Sequence, residues 1–242
     1  MKLSVVIPAY NEEKLLPECL RTLTASLRSA CSGPWEWEII VCDNNSTDQT
    51  ATVARSGGAQ VIFEPINQIG RARNTGASMA TGDWLLFLDA DSVVSSSLIS
   101  ELLQACESGE VIGGGACLTP MGEWSGKLVV PMTIWNIVSR VGRLAAGSFL
   151  YCRSDAFHRV GGFSTEHFAG EELNLSIKLK RAAREEGSTF KILTRARLQT
   201  SARKAGLYSN TELIRTFFSI LFRFRGTTGK RAACYFWYDG RR

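Results

Sequence analysis

Short runs of β-branched and apolar residues alternate with longer stretches of helical periodicity along the first part of the chain. Leu3–Pro8 precedes Glu13–Ala30, Glu38–Cys42 precedes Asp48–Ser56, Gln60–Phe63 precedes Ile69–Ala80, and Trp84–Leu88 ends the series. Strands separated by helices in this rhythm predict βαβ units and a mainly parallel sheet. Ligands of such sheets bind outside the carboxyl ends of the strands. The polar clusters fall there: Tyr10-Asn11-Glu12 after the first run, Asp43-Asn44-Asn45-Ser46 after the second, and Asp89-Ala90-Asp91 after the fourth.

Beyond Asp91 the pattern loosens. Ser95–Cys106 reads as a helix, and Val111-Ile112 with Gly113-Gly114-Gly115 as a strand entering a tight turn. Lys127–Arg143 is an irregular apolar segment containing Trp135, and Ala146–Cys152 is another strand. A Gly161-Gly162-Phe163 turn precedes a helix over about Glu171–Glu186. No internal repeat or low-complexity linker interrupts the chain, which predicts one continuous α/β domain.

With 242 residues, 45% hydrophobic and 21% charged, the chain can bury a substantial core and has the composition of a soluble globular protein. Its net charge of +5 is concentrated in basic residues after Arg181, which suits a phosphate-bearing substrate facing an acidic site. No motif supports a nucleic-acid partner. Seven cysteines, without CxxC spacing, suit a reduced cytoplasmic protein without structural zinc. The apolar stretch Leu3–Ala9 is too short for a signal peptide and runs straight into Asn11-Glu12-Glu13, so it is expected to be a strand. No apolar run is long enough to span a bilayer, and the longest uncharged stretch, Leu128–Ser139, is interrupted by Pro131.

The chemistry concentrates at Asp89-Ala90-Asp91. Carboxylates at i and i+2 in extended chain point the same way and suit a hard divalent cation, Mg²⁺ or Mn²⁺, which in turn would hold a diphosphate. Taken alone, the tripeptide reads equally as a solvated turn. Gly70-Arg71-Ala72-Arg73-Asn74 sets cations at a helix start, where side chains and backbone N–H groups can meet diphosphate charge. Arg71, beside Gly70, is the favoured contact.

Val5-Val6-Ile7-Pro8-Ala9-Tyr10-Asn11-Glu12, Val41-Cys42-Asp43-Asn44-Asn45-Ser46-Thr47-Asp48, Gly70–Gly76, Gly82-Asp83 leading to Asp89-Ala90-Asp91, and Gly161-Gly162-Phe163 followed by Glu171-Glu172 together resemble family 2 glycosyltransferases of the GT-A fold. The resemblance covers roughly residues 3–205. It implies a Rossmann-like, mainly parallel mixed sheet flanked by helices in a single domain over 1–225. The donor-binding half would be about 1–92, the acceptor half about 93–225, and 226–242 a basic tail.

It further implies a nucleoside-diphosphate sugar donor. Pro8, Ala9, Tyr10 and Glu12 match the segment lining the nucleoside pocket, and Asp43 matches the acidic residue that accepts a hydrogen bond from the base. A carboxylate can accept from uracil or from guanine. A local cap at the following helix is the rival reading of Asp43. Asp91 would ligate the metal, while Asp89 would contact the ribose or a metal-bound water. Glu172 would take the proton of the attacking hydroxyl, with Glu171 as the alternative base and a helix-dipole role as the bland one. Family members commonly carry Asp where Glu172 stands. The implied reaction is an inverting, single in-line displacement.

Two departures bear on this. The third metal ligand that many relatives take from a later His is missing: His158 follows Asp155-Ala156-Phe157 on a helix, His167 lies in the Gly162–Gly170 loop, and both precede the Glu pair. Water can complete the shell instead. The Gln-x-x-Arg-Trp segment of processive synthases is also missing, which implies one sugar per turnover. Thr200-Ser201-Ala202-Arg203-Lys204 resembles a late Ser-x-Arg segment of some small members. Leu213, Phe217, Ile220, Leu221 and Phe224 form an apolar helical face among basic residues, fit for an anionic membrane surface with a lipid-linked acceptor, for closing the core, or for a homodimer interface. A nucleotidyltransferase would need a Gly-rich, basic loop after the first strand, where this chain has Pro8–Glu12. A non-catalytic binding module on the same fold is the rival from another class.

Overall fold

A computed structural model of the protein describes residues 1–31, 33–121, 126–166 and 170–201, the side chains of 126–129 apart. The chain begins β1 (Lys2–Ala9), α1 (Leu16–Ala30), β2 (Glu36–Asp43), α2 (Thr50–Ser56), β3 (Gln60–Phe63), α3 (Ile69–Met79) and β4 (Trp84–Leu88). There follow β5 (Ser92–Val93), α4 (Ser96–Glu107), β6 (Val111–Pro120), α5 (Gly126–Gly142), β7 (Phe149–Arg153), α6 (Ser154–Arg159), α7 (Glu171–Glu186) and β8 (Thr189–Thr200).

Among the described residues the strands form one sheet in the order β3-β2-β1-β4-β7-β6-β8-β5. The first four run parallel, as the βαβ rhythm predicts. β7 is antiparallel to both its neighbours, and β6 and β8 are parallel to each other, so the sheet is mixed. Strand alternation explains why both faces are dry. Leu3, Val5 and Ile7 of β1 with Trp84, Leu86 and Leu88 of β4 pack in one cluster, into which α1 sets Leu16, Leu20, Leu23 and Leu27. Val6, Leu85 and Phe87, between them in sequence, face the other cluster against Ala77 of α3 and Leu175 and Leu179 of α7. A sheet with helices on both faces is what such near-continuous apolar strands require.

Two expectations are corrected. Gly113-Gly114-Gly115 is not a turn; the strand runs through it to Pro120. The glycines are there for close approach: a Cβ on Gly113 would lie 2.5 Å from the Tyr151 carbonyl oxygen, and one on Gly114 would overlap the Lys191 carbonyl. The Lys127–Arg143 segment is not irregular but the helix α5, with Pro131 inside it. Its Asn136 side chain brackets the Leu118 backbone, accepting from N–H and donating to C=O, both at 2.9 Å. Among the described residues no helix is long and apolar enough to cross a membrane. The apolar face over 213–224 and the 226–242 tail lie outside the described residues, as does His167.

Candidate active site

The carboxyl ends of β1, β2 and β4 meet at one edge. Ala9 is in register with Asp43, and the Asn44 N–H donates to the Ala9 carbonyl at 2.7 Å, so the Pro8–Glu12 segment and Asp43 are neighbours. The two loops that continue them are laced together. Asn11, at φ 52, donates its N–H to Ser46 Oγ at 3.0 Å and accepts from the Thr47 N–H at 2.8 Å; the Glu12 N–H donates to Thr50 Oγ1 at 2.8 Å. One Asp43 oxygen accepts from the Ser46 N–H at 3.0 Å and thereby closes the local turn. The other oxygen has no hydrogen-bond partner among the described residues. The local role and a ligand role therefore use different lone pairs.

At the end of β4, Asp89 and Asp91 are partly exposed while Ala90 is buried. The backbone around them is fixed from several sides. The Asp89 N–H donates to the Ser148 carbonyl at 3.4 Å, and the Ser201 N–H donates to the Asp91 carbonyl at 3.3 Å. Antiparallel pairing of β5 with the end of β8 places Thr200-Ser201 beside the Asp-Ala-Asp turn, at the late Ser-x-Arg segment; Ala202 onward lies outside the described residues. Cys19 of α1 sits beneath, its Sγ 3.7 Å from the Asp89 carbonyl. Burial first, then the charges of Asp91, Asp89 and Glu12, push this thiol up to about 12, so it stays neutral and marks where those three carboxylates converge.

Arg73 joins this edge to the second half. It is 2% exposed on α3, and its fork spans three acceptors: Asp89 Oδ1 at 3.0 Å, Glu171 Oε1 at 2.7 Å and the Gly147 carbonyl at 3.0 Å. The guanidinium also lies over the Phe163 ring, 5.2 Å from its centroid. Burial opposes its charge, but Asp89, Glu171 and Glu172 together hold it more firmly protonated than usual. Gly147 is demanded here, since a Cβ would meet Arg73 Nη2 at 2.7 Å. Arg71, which sequence position favoured, lies at the β2–β3 side of the same edge: its Nε is 3.5 Å from Glu64, whose N–H donates to the Asp43 carbonyl at 2.9 Å. Residues i and i+2 of a helix point about 200° apart, so only one of the two reaches Asp89.

Glu171 and Glu172 open α7 after Gly170, whose φ of 79 admits the chain into the helix. Glu171 is buried in its pair with Arg73. Glu172 is pushed up to about 8, first by burial, then by the Glu171 charge, with Arg73 pulling the other way. His158 is exposed on α6, edge-on to Phe157, after the end of β7 that pairs with the start of β4, away from Asp89. Among the described residues no three His, Cys, Asp or Glu side chains gather as a ready-made metal site. Arg73 engages only Oδ1 of Asp89, so a cation here would rest on Asp91, with the other Asp89 oxygen and ligand and water oxygens to complete an all-oxygen set that suits Mg²⁺ or Mn²⁺. The sequence reading gave the carboxylates but missed the Arg73 and Gly147 contacts. The Ala-Arg-Asn run inside a helix otherwise short of large side chains was the available signal for Arg73.

A mixed, mainly parallel sheet flanked by helices is the fold of GT-A glycosyltransferases. The family model for glycosyl transferase family 2 matches residues 4–138, and the chain belongs to that family. An uncharacterized glycosyltransferase of Mycobacterium tuberculosis is 31% identical over 140 residues, 57% of this chain and 60% of that relative. The chain thus matches less than two thirds of that relative's length. The 4,4'-diaponeurosporenoate glycosyltransferase of Staphylococcus haemolyticus is 40% identical over 97 residues, 37% of this chain and 24% of that protein.

Solved structures share the fold. S. aureus TarS superposes with a TM-score of 0.65 at 20% identity over 90% of this chain and 66% of that one; TarS has also been solved with UDP-GlcNAc. The mannosyltransferase PcManGT of Pyrobaculum calidifontis, in complex with GDP-Man and Mn²⁺, gives 0.62 at 18% identity over 82% of this chain and 56% of that one.

Proposed function

We propose that the protein transfers one sugar per turnover from a nucleoside-diphosphate sugar to a hydroxyl acceptor, with a divalent cation and inversion at the anomeric carbon. The observation that carries this is the Arg73 fork: a single buried cation ties Asp89, at the donor edge, to Glu171, beside Glu172 at the start of α7. A general base must stand within hydrogen-bond reach of its proton, and a shared cation between Asp89 and Glu171 supports this reading by tying the two segments together.

In this reading Pro8, Ala9, Tyr10 and Glu12 line the nucleoside pocket and the unpartnered Asp43 oxygen accepts an N–H of the base. Both UDP and GDP donors occur among proteins of similar fold, and each base offers such a donor. Asp91, with Mn²⁺ or Mg²⁺, would neutralise the departing diphosphate. Arg73 orients Asp89 and Glu171. Glu172 takes the acceptor proton as the acceptor oxygen bonds to the anomeric carbon and the bond from that carbon to the diphosphate breaks.

The test is thermal unfolding with UDP, GDP, CDP, ADP and dTDP, each with and without Mn²⁺, with Asp91→Ala as control. A ligand at about 100 times its dissociation constant adds roughly 2.7 kcal/mol of stability. A shift from one nucleotide that needs both Mn²⁺ and Asp91 is the expected result. A folded protein that none of them stabilises would sink the donor-site assignment.

A further inference from the structure

Val130, Ile134, Ile137 and Val141 of α5 are all exposed, Val141 at 82%, although the same helix buries its opposite side against the core. Their spacing of four, three and four residues sets them in one stripe along the helix. A contiguous aliphatic stripe on a water-facing helix needs an occupant.

The C-terminal end of this stripe runs into a basic groove. Val141 and Arg143 line a cavity of about 370 Å³ with Lys180 and Arg184 of α7 and Thr189 at the start of β8. A second cavity of about 270 Å³ shares Arg143 and adds Arg140 and Lys191. None of these five cations forms an ion pair with a carboxylate among the described residues. Lys180 donates instead to the Gly142 carbonyl at 2.6 Å, which holds it between Arg143 and Arg184. Burial first, and then those two charges, lower its pKa, a sign of uncompensated positive potential.

We infer that this face of α5 and the adjoining groove dock on an anionic lipid surface, the four aliphatic side chains entering the interface and the cations meeting lipid phosphate. Charge complementarity selects this occupant. The chain's own segment 202–242 is itself strongly basic, with Glu212 and Asp239 its only acids, and offers the groove little counter-charge. Nucleic acid would meet the cations but leave an aliphatic stripe against water. An interfacial helix combines both features, apolar side chains flanked by Lys and Arg. The inference does not depend on the transfer reaction, because lipid binding requires no donor.

The test is flotation of the full chain with vesicles of phosphatidylcholine alone and of phosphatidylcholine mixed with phosphatidylglycerol, at low and high salt. The wild type is expected to float with the anionic vesicles only, and less as salt rises. Arg143→Glu combined with Arg184→Glu is expected to weaken partitioning at least about tenfold, and Ile137→Ser combined with Val141→Ser to weaken it comparably. All four positions are unpaired surface residues, and an unfolding transition at the wild-type temperature, without any ligand, verifies the fold. A polarity-sensitive dye on Val141→Cys, expected to shift to the blue with anionic vesicles, reports insertion without removing the stripe's other members. A wild type that ignores anionic vesicles, or double variants that bind as the wild type does, would overturn the proposal. So would a wild-type dimer that Ile137→Ser with Val141→Ser converts to monomer, since a second copy would then be the occupant.

Discussion

Arg73 Nη1 donates to Glu171 Oε1 at 2.7 Å across 98 residues of sequence, inside a site where both side chains are nearly inaccessible to water. A buried ion pair of this kind adds little net stability, because desolvation offsets the attraction. What it supplies is geometry, since the same guanidinium reaches Asp89 and the Gly147 carbonyl. Breaking it would leave the buried Glu171 carboxylate without a counter-charge.

Arg73→Ala is therefore expected to cost about 3–5 kcal/mol of folding stability, read by urea unfolding. Arg73→Lys should recover little of this, because a single ammonium cannot span the three acceptors that the planar fork reaches. A loss below about 1 kcal/mol for Arg73→Ala would place the pair in water rather than in the core.

Glu172 makes stability depend on pH in a definite direction. Its pKa rises from an ordinary 4.5 to about 8 in the folded chain, burial being the first cause and the Glu171 charge the second. The folded state thus holds this proton more tightly than the unfolded one. Its contribution is complete below the ordinary value and is lost as pH rises toward about 8. Glu172→Gln cannot titrate, and its stability should vary less between acid and mildly alkaline buffers. If Glu172 is the base, kcat/KM of the wild type should climb through the same range and that limb should vanish in the variant.

Asp43 offers a separate test of the donor pocket. Asp43→Asn keeps an oxygen for the Ser46 N–H, so the unliganded protein should unfold within about 0.5 kcal/mol of the wild type. Loss of a charged acceptor facing the base should weaken nucleotide binding about tenfold or more, measured by calorimetry. Equal affinity for both proteins would return Asp43 to the purely local turn role.

Gly114→Ala separates strand packing from turn chemistry. In a turn, the substitution would be mild. Here the added methyl overlaps the Lys191 carbonyl and comes within 2.7 Å of the Tyr151 hydroxyl, which itself donates to Lys191 at 3.0 Å. We expect a loss of at least about 2 kcal/mol in denaturant unfolding, since β8 cannot move away without leaving β6.

The sequence by itself determined what is local. Gln60–Phe63, Trp84–Leu88 and Glu171–Glu186 start and end where the hydrophobic period and the flanking residues put them, because strand alternation and helix termination act over a few residues. The acidic cluster after Leu88 was equally legible, but not its backbone: the extended chain expected there is instead a turn, in which the Ser92 N–H donates to the Asp89 carbonyl at 3.2 Å. Tertiary structure decided every choice between neighbours. Whether Arg71 or Arg73 faces inward, and whether Glu171 or Glu172 is consumed by an ion pair, depends on helix rotation against the sheet, which packing with distant strands sets. The glycines of β6 read as a turn because their cause, the approach of Tyr151 and Lys191, lies far away in sequence. α5 escaped the period because it is apolar both where it meets the core and where it meets solvent. A helical pattern is visible only where one side is polar.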